Sequence, residues 1–111
     1  MGSQLQYSYD ALIPGYLLWD FSQNIAWTCD GNYVTQVNNF QAWANVYDPL
    51  WRYDGLDGQS QSGGVGYTYY HGFSQGHFTL HFGPWEVTSG HPWINQRGYG
   101  NGTGAYNYGG A

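Results

Sequence analysis

Along residues 76–83 the sequence alternates. Phe78, Leu80 and Phe82 fall at every second position, with His77, Thr79 and His81 between them. A period of two marks a strand with one face on a core and the other on solvent. The preceding run, Val65–Gly72, has a similar character, and glycines punctuate both runs. Read together they predict a hairpin with Phe73-Ser74-Gln75 as its connector. All three apolar residues of the second run are then expected in the core.

The first half of the chain follows the same rule less regularly. Trp27 and Cys29 share one face of a short strand that ends at the turn Asp30-Gly31, and Asn32–Val37 starts another. In Phe40–Tyr47, Phe40, Trp43, Ala44 and Tyr47 match helical spacing, while Trp43 and Tyr47 also share a strand face. The β signals on either side tip this stretch to strand, and Pro49 ends it. In Trp51-Arg52-Tyr53 the two aromatics point inward and Arg52 outward, within reach of Asp48 or Asp54. Asp54–Gly58, with two glycines and two aspartates, reads as a turn without the regular oxygen spacing of a calcium loop.

These elements predict an all-β fold, a compact antiparallel sandwich or barrel-like single domain with an aromatic core. The domain spans residues 1–97 and opens with an arm, 1–18, broken by Pro14-Gly15. Gln59–Gly64 is a flexible connector by composition, and the Gly-, Tyr- and Asn-rich residues 98–111 form a tail.

Composition sharpens this picture. Aromatic residues make up 21% of the 111 residues and charged residues 8%, against roughly 25% charged in an average domain. Each buried ring removes about 150–250 Å² from water, so a chain this short can still build a dense core. The formal charge is −5, and the two cationic side chains are Arg52 and Arg97. Lys and Arg supply most nucleic-acid affinity through phosphate contacts, so nucleic acid is excluded as a partner. Anionic membranes and sulfated polysaccharides are disfavoured for the same reason. Ala11–Trp19 is too short to span a bilayer. The start, Met1 to Asp10, lacks the basic and apolar regions of a signal peptide, but Met-Gly-Ser is also a common expression start, so a removed leader stays open. Asn101-Gly102-Thr103 is a glycosylation sequon.

Chemistry-bearing constellations are sparse. Glu86 is the only glutamate and has no identifiable partner carboxylate. No nucleophile-elbow or phosphate-loop pattern is present, and the chain has no lysine. A single cysteine, Cys29, rules out an internal disulfide and a four-cysteine zinc site; beside Trp27 it reads as a small buried hydrophobe. His71, His77, His81 and His91 lie within twenty-one residues. His77 and His81 are about 13 Å apart along a strand, too far for one metal. His71 is placed to pair with either across the hairpin, but a solvated polar face is the default. No catalytic residue, no metal site and no cofactor is therefore expected.

Two resemblances bear on function. Trp19-Asp20, Trp27-Thr28-Cys29, the turn at Gly31, Val34 and Val37, and Asp48-Pro49-Leu50-Trp51-Arg52-Tyr53 resemble the repeat of dermatopontin-type extracellular proteins over residues 19–55. Pro49 stands where that family has arginine and Gly55 where it has a second cysteine, so the family's disulfide is missing here. Tyr67–His77 is similar to the tyrosine- and histidine-rich stretch of lactococcin-type bacteriocins, secreted β proteins aimed at the bacterial envelope.

The resulting expectation is a secreted, extracellular, non-enzymatic binding or adhesion module recognising carbohydrate or matrix. Aromatic faces stack on sugar rings, and uncharged amides hydrogen-bond hydroxyls. The expected contact residues are Asn38, Asn39, Trp43, Asn45, Arg52 and Asp54. Two alternatives remain: a homo-oligomeric, self-assembling filament or coat subunit, since no lysine guards its strand edges, and a secreted antibacterial protein.

Overall fold

A computed structural model describes residues 2–13 and 16–110, except for the side chains of Tyr7, Leu12, Ile13 and Tyr16. Among the described residues, eight strands form two antiparallel sheets. Sheet A has the order β1 (Gly2–Ile13), β2 (Tyr16–Cys29), β3 (Val34–Val46). Sheet B is built on β5 (Tyr69–Phe82), with β4 (Trp51–Gly63) along one side. Along its other side β6 (Trp85–Gly90) and β7 (Trp93–Tyr99) follow one another, and β8 (Gly104–Gly109) pairs with β7. The all-β expectation holds, in the form of a sandwich.

Strands of twelve to fourteen residues make the molecule long. Its extents are 53 × 26 × 18 Å and its radius of gyration is 16.1 Å, above the ~13 Å of a spherical domain of this length. Fourteen residues at about 3.3 Å each account for most of the long dimension.

Alternation along β2 and β5 builds the interior. Trp19, Phe21, Gln23, Ile25, Trp27 and Cys29 of β2 are buried, as are Tyr70, Ser74 and Phe78 of β5 and Ile94 and Gln96 of β7. The apolar residues divide into two clusters. Around Ile25, Trp27, Cys29, Val34 and Tyr70 pack Leu5, Val37 and Phe40. Around Trp19, Phe21, Phe78 and Ile94 pack Tyr9, Trp51 and Tyr53 among others. Trp19 stacks on Phe78 with ring centroids 3.9 Å apart and planes 10° from parallel. Between the clusters lies a polar layer, where Gln23 Nε2 donates to Gln96 Oε1 at 2.9 Å and to the Gly72 carbonyl at 3.1 Å.

Several local expectations change. Phe73-Ser74-Gln75 is not a hairpin connector. β5 runs straight through it, pairing with β4 on one side and β7 on the other. The flanking glycines make room rather than turns: a Cβ on Gly72 would lie 3.0 Å from Ile25 and Phe40, and one on Gly76 would lie 3.0 Å from Phe21. Phe78 is fully buried but Phe82 is 68% exposed. The register shifts between Leu80 and His81, where β5 extends past the sandwich as a hairpin with β6.

Asp54–Gly58 does not reverse the chain but forms two irregular steps inside β4, with Gly55 at φ +105°. Of Gln59–Gly64, read as a connector, Gln59–Gly63 continues β4, and the reversal comes just after it. The arm is β1, paired along its length with β2. Its expected break at Pro14-Gly15 lies outside the described residues. Within the expected tail, Gly104–Gly109 is an edge strand of sheet B. Trp51, Arg52 and Tyr53 alternate as expected, with both aromatics against the core and Arg52 outward.

Candidate functional site

Because Phe21, Gln23 and Ile25 face the interior, the alternate residues of sheet A share its outer face. Pairing across the three strands sets them in rows. Asp10, Asp20 and Asn45 form one row; Ser8, Ser22 and Trp43 the next; then Gln6, Asn24 and Gln41; then Gln4, Ala26 and Asn39. These side chains are six amides, two hydroxyls, two carboxylates, Ala26 and the partly exposed Trp43 indole; the central Asp20, Ser22 and Asn24 are buried, and the β1 and β3 members carry the exposed part of the face.

Hydrogen bonds hold these side chains in place. Ser8 and Ser22 share a hydroxyl contact of 2.5 Å, and Gln4 Nε2 donates to Asn24 Oδ1 at 2.8 Å. Asn45 Nδ2 donates to Asp20 Oδ1 at 3.0 Å and the Tyr47 hydroxyl donates to Asp20 Oδ2 at 2.9 Å. That bond to the carboxylate pushes the Tyr47 phenol above its ordinary value. Asn38 sits at the irregular step in β3 and donates to Thr28 Oγ1 at 2.8 Å.

Beside this face, the edges of β3 and β4 leave a cleft of about 570 Å³, lined by Asn38, Asn39, Phe40, Gln59, Gln61 and Tyr70 among others. Phe40 packs edge-on to Tyr70, whose hydroxyl donates to Gln61 Oε1 at 2.6 Å. Four of the six expected contact residues, Asn38, Asn39, Trp43 and Asn45, thus belong to β3, and two of them line the cleft. Gln59, Ser60 and Gln61 were missed because their composition reads as a linker; only pairing with β5 makes them strand.

Arg52 and Asp54 do not join this surface. They lie on β4, on the outer side of sheet B. Arg52 Nε contacts Asp54 Oδ1 at 2.6 Å, and Thr79 Oγ1 donates to Asp54 Oδ2 at 2.8 Å. The Arg52 bond, then the Thr79 bond, hold the Asp54 carboxyl below its ordinary value.

The same side of sheet B carries the histidines. His71 Nε2 lies 2.9 Å from Asn95 Oδ1, beside a pocket of about 240 Å³ where Arg97 lies over the Tyr69 ring at 4.5 Å. His81 Nε2 lies 2.9 Å from Thr79 Oγ1. His77 does not meet His71 or His81 as a ligand pair; it meets His91 and Asp57. Asp57 Oδ1 lies 3.3 Å from His77 Nδ1, and Asp57 Oδ2 lies 2.5 Å from His91 Nδ1. The two imidazole centroids are 4.5 Å apart.

Comparison of the chain with known protein families, curated proteins and solved structures gives no match.

Proposed function

We propose that the protein is a non-enzymatic binding module that recognises carbohydrate through the outer face of sheet A and the adjoining cleft, in an extracellular setting. The observation that carries this reading is the partly exposed Trp43 indole on β3, with Asn39, Gln41 and Asn45 along its own strand face and Gln4, Gln6 and Ser8 on β1 across the same face. A sugar presents a ring face for stacking and a rim of hydroxyls that both donate and accept. An indole set among Gln, Asn and Ser offers both complements, and Asp10 and Asp20 in the neighbouring row add carboxylate acceptors. The hydrogen bonds within the face fix the side chains beforehand, which lowers the entropy lost on binding. The resemblance of residues 19–55 to dermatopontin-type proteins points to the same matrix setting. The test is a glycan array probed with purified protein: retention of a defined set of neutral glycans supports the reading, and a blank array opposes it.

A second reading, self-association, is favoured by a separate feature. The β5–β6 hairpin carries Phe82, Trp85 and Val87 at 68, 71 and 61% exposure, and among the described strands β6 pairs only with β5. An apolar edge without lysine is a template for strand pairing with a second copy. Sedimentation over a hundredfold range of concentration separates the readings, since only self-association makes the mass concentration-dependent.

A further inference from the structure

We propose that Asp57, His77 and His91 form a binding site for a divalent transition metal of the zinc class, with two imidazole nitrogens and one carboxylate as protein ligands. The three residues come from separate parts of the chain, and the irregularities of sheet B bring them together. Leu56 pairs with Gly76 and Gly58 with Gln75, so Asp57 is the extra residue of a bulge. Bulges re-aim a side chain, here toward the neighbouring strand. On the other side of β5, β6 ends with Gly90 opposite Phe78 and β7 begins with Trp93 opposite Gln75. His91 therefore sits at the corner between them, beside His77. The corner is tied down by Gly76 N–H to Pro92 O at 2.9 Å, His91 N–H to Gly110 O at 2.9 Å and Gln75 Nε2 to His91 O at 3.1 Å.

Both imidazoles turn the same nitrogen, Nδ1, to the one carboxylate, and one ligand atom from each residue lies within 4.8 Å of the others. Tetrahedral zinc with bonds of about 2.0–2.2 Å places its donors roughly 3.3–3.5 Å apart, so side-chain shifts of about 1 Å close the site. The side chains of Asp57, His77 and His91 are 34, 32 and 41% exposed, which leaves them free to move and leaves a coordination position facing solvent. His91 has the outer support such ligands use: its Nε2 lies 3.2 Å from Ser89 Oγ. Imidazole with carboxylate suits zinc and copper and is a poor set for calcium or magnesium. The site lies on sheet B and does not depend on the carbohydrate reading.

The test uses chelator-treated full-length protein. Cobalt(II), a spectroscopic stand-in for zinc, is titrated in, then displaced with zinc, and zinc binding is measured by calorimetry. One equivalent of cobalt should produce visible absorption that zinc abolishes. His77→Ala and His91→Ala should each weaken zinc binding at least tenfold, whereas His71→Ala and His81→Ala should leave it unchanged. In the unmodified protein, zinc should shift the imidazole NMR signals of His77 and His91 ahead of the other two, a readout independent of how any variant folds. Absence of stoichiometric binding, or binding that survives loss of His77 and His91, overturns the site.

Discussion

Gln23 and Gln96 face each other across the sandwich, each fully buried, and the amide of Gln23 donates to the side-chain carbonyl of Gln96 at 2.9 Å. The second proton of that amide goes to the Gly72 carbonyl, and Gln96 Nε2 donates to Leu5 O at 3.2 Å. One pair of glutamines thus links β1, β2, β5 and β7 between the two aromatic clusters. Gln23 Oε1 has no hydrogen-bond partner among the described residues. A buried amide stripped of its partner costs about 1–3 kcal/mol, whereas replacing both members of a pair is far cheaper. Gln96→Leu alone should therefore destabilise the protein more than the double change Gln23→Leu with Gln96→Leu. Denaturant unfolding of the unmodified protein, Gln23→Leu, Gln96→Leu and the double variant measures this, and additive losses would show that the pair does not act as a unit.

Phe78 and Phe82 make an internal contrast on one strand. Phe78 is fully buried against Trp19, and Phe82 is out on the hairpin. Phe78→Ala should cost about 3–5 kcal/mol and lower the melting temperature strongly. Phe82→Ala should shift it little. Equal effects in thermal melts would mean that the register change at Leu80 is misplaced.

This contrast also marks how far the pattern could be read. Alternation found Phe78, Trp51, Tyr53 and the outward Arg52, because a period of two is a property of the chain itself. It failed at Phe82, where the register shifts and the strand leaves the sandwich. It failed at Gly72 and Gly76, since a glycine that ends a strand and one that admits a neighbour's ring look alike in sequence. Only Phe21, Ile25 and Phe40, contributed by the opposite sheet, tell them apart. The amide rows of sheet A were half legible: β3 supplied Asn39, Trp43 and Asn45, but their partners on β1 and β2 depend on register. Asp57, His77 and His91 were not legible as a group, since a bulge and a corner assemble them.

Gly98 tests close packing directly. Its position lies against the Trp27 indole, and an added Cβ would fall inside the ring's contact distance. Trp27 is buried, and its Nε1 donates to Tyr99 O at 2.9 Å, so the ring has little freedom to move aside. Overpacking of this kind costs about 1–3 kcal/mol. Gly98→Ala should be clearly destabilising, and an unchanged denaturation midpoint would show that Trp27 is loosely held.

The Arg52–Asp54 pair should be visible in the pH dependence of stability. A carboxyl lowered in the folded state contributes stability that is present above its unfolded value, here an ordinary 3.8, and is lost as pH falls through the lower folded value. Arg52 is 63% exposed, so the contribution at neutral pH is small. Melting temperatures of the unmodified protein and Arg52→Ala should differ slightly at pH 7 and converge in strong acid. Trp51→Ala, which removes part of a core cluster, should destabilise at every pH. A gap between Arg52→Ala and the unmodified protein that widens in acid would contradict the pairing.

Binding by the outer face of sheet A is tested most directly at Trp43, the one indole in its amide rows. Calorimetric titration of a glycan retained on the array should compare the unmodified protein with Trp43→Ala, with a thermal melt confirming that the variant is folded. The expected result is at least a tenfold loss of affinity, about 1.4 kcal/mol, as for an aromatic anchor in an interface. Unchanged affinity in a folded Trp43→Ala protein would contradict the assignment of this face as the binding surface.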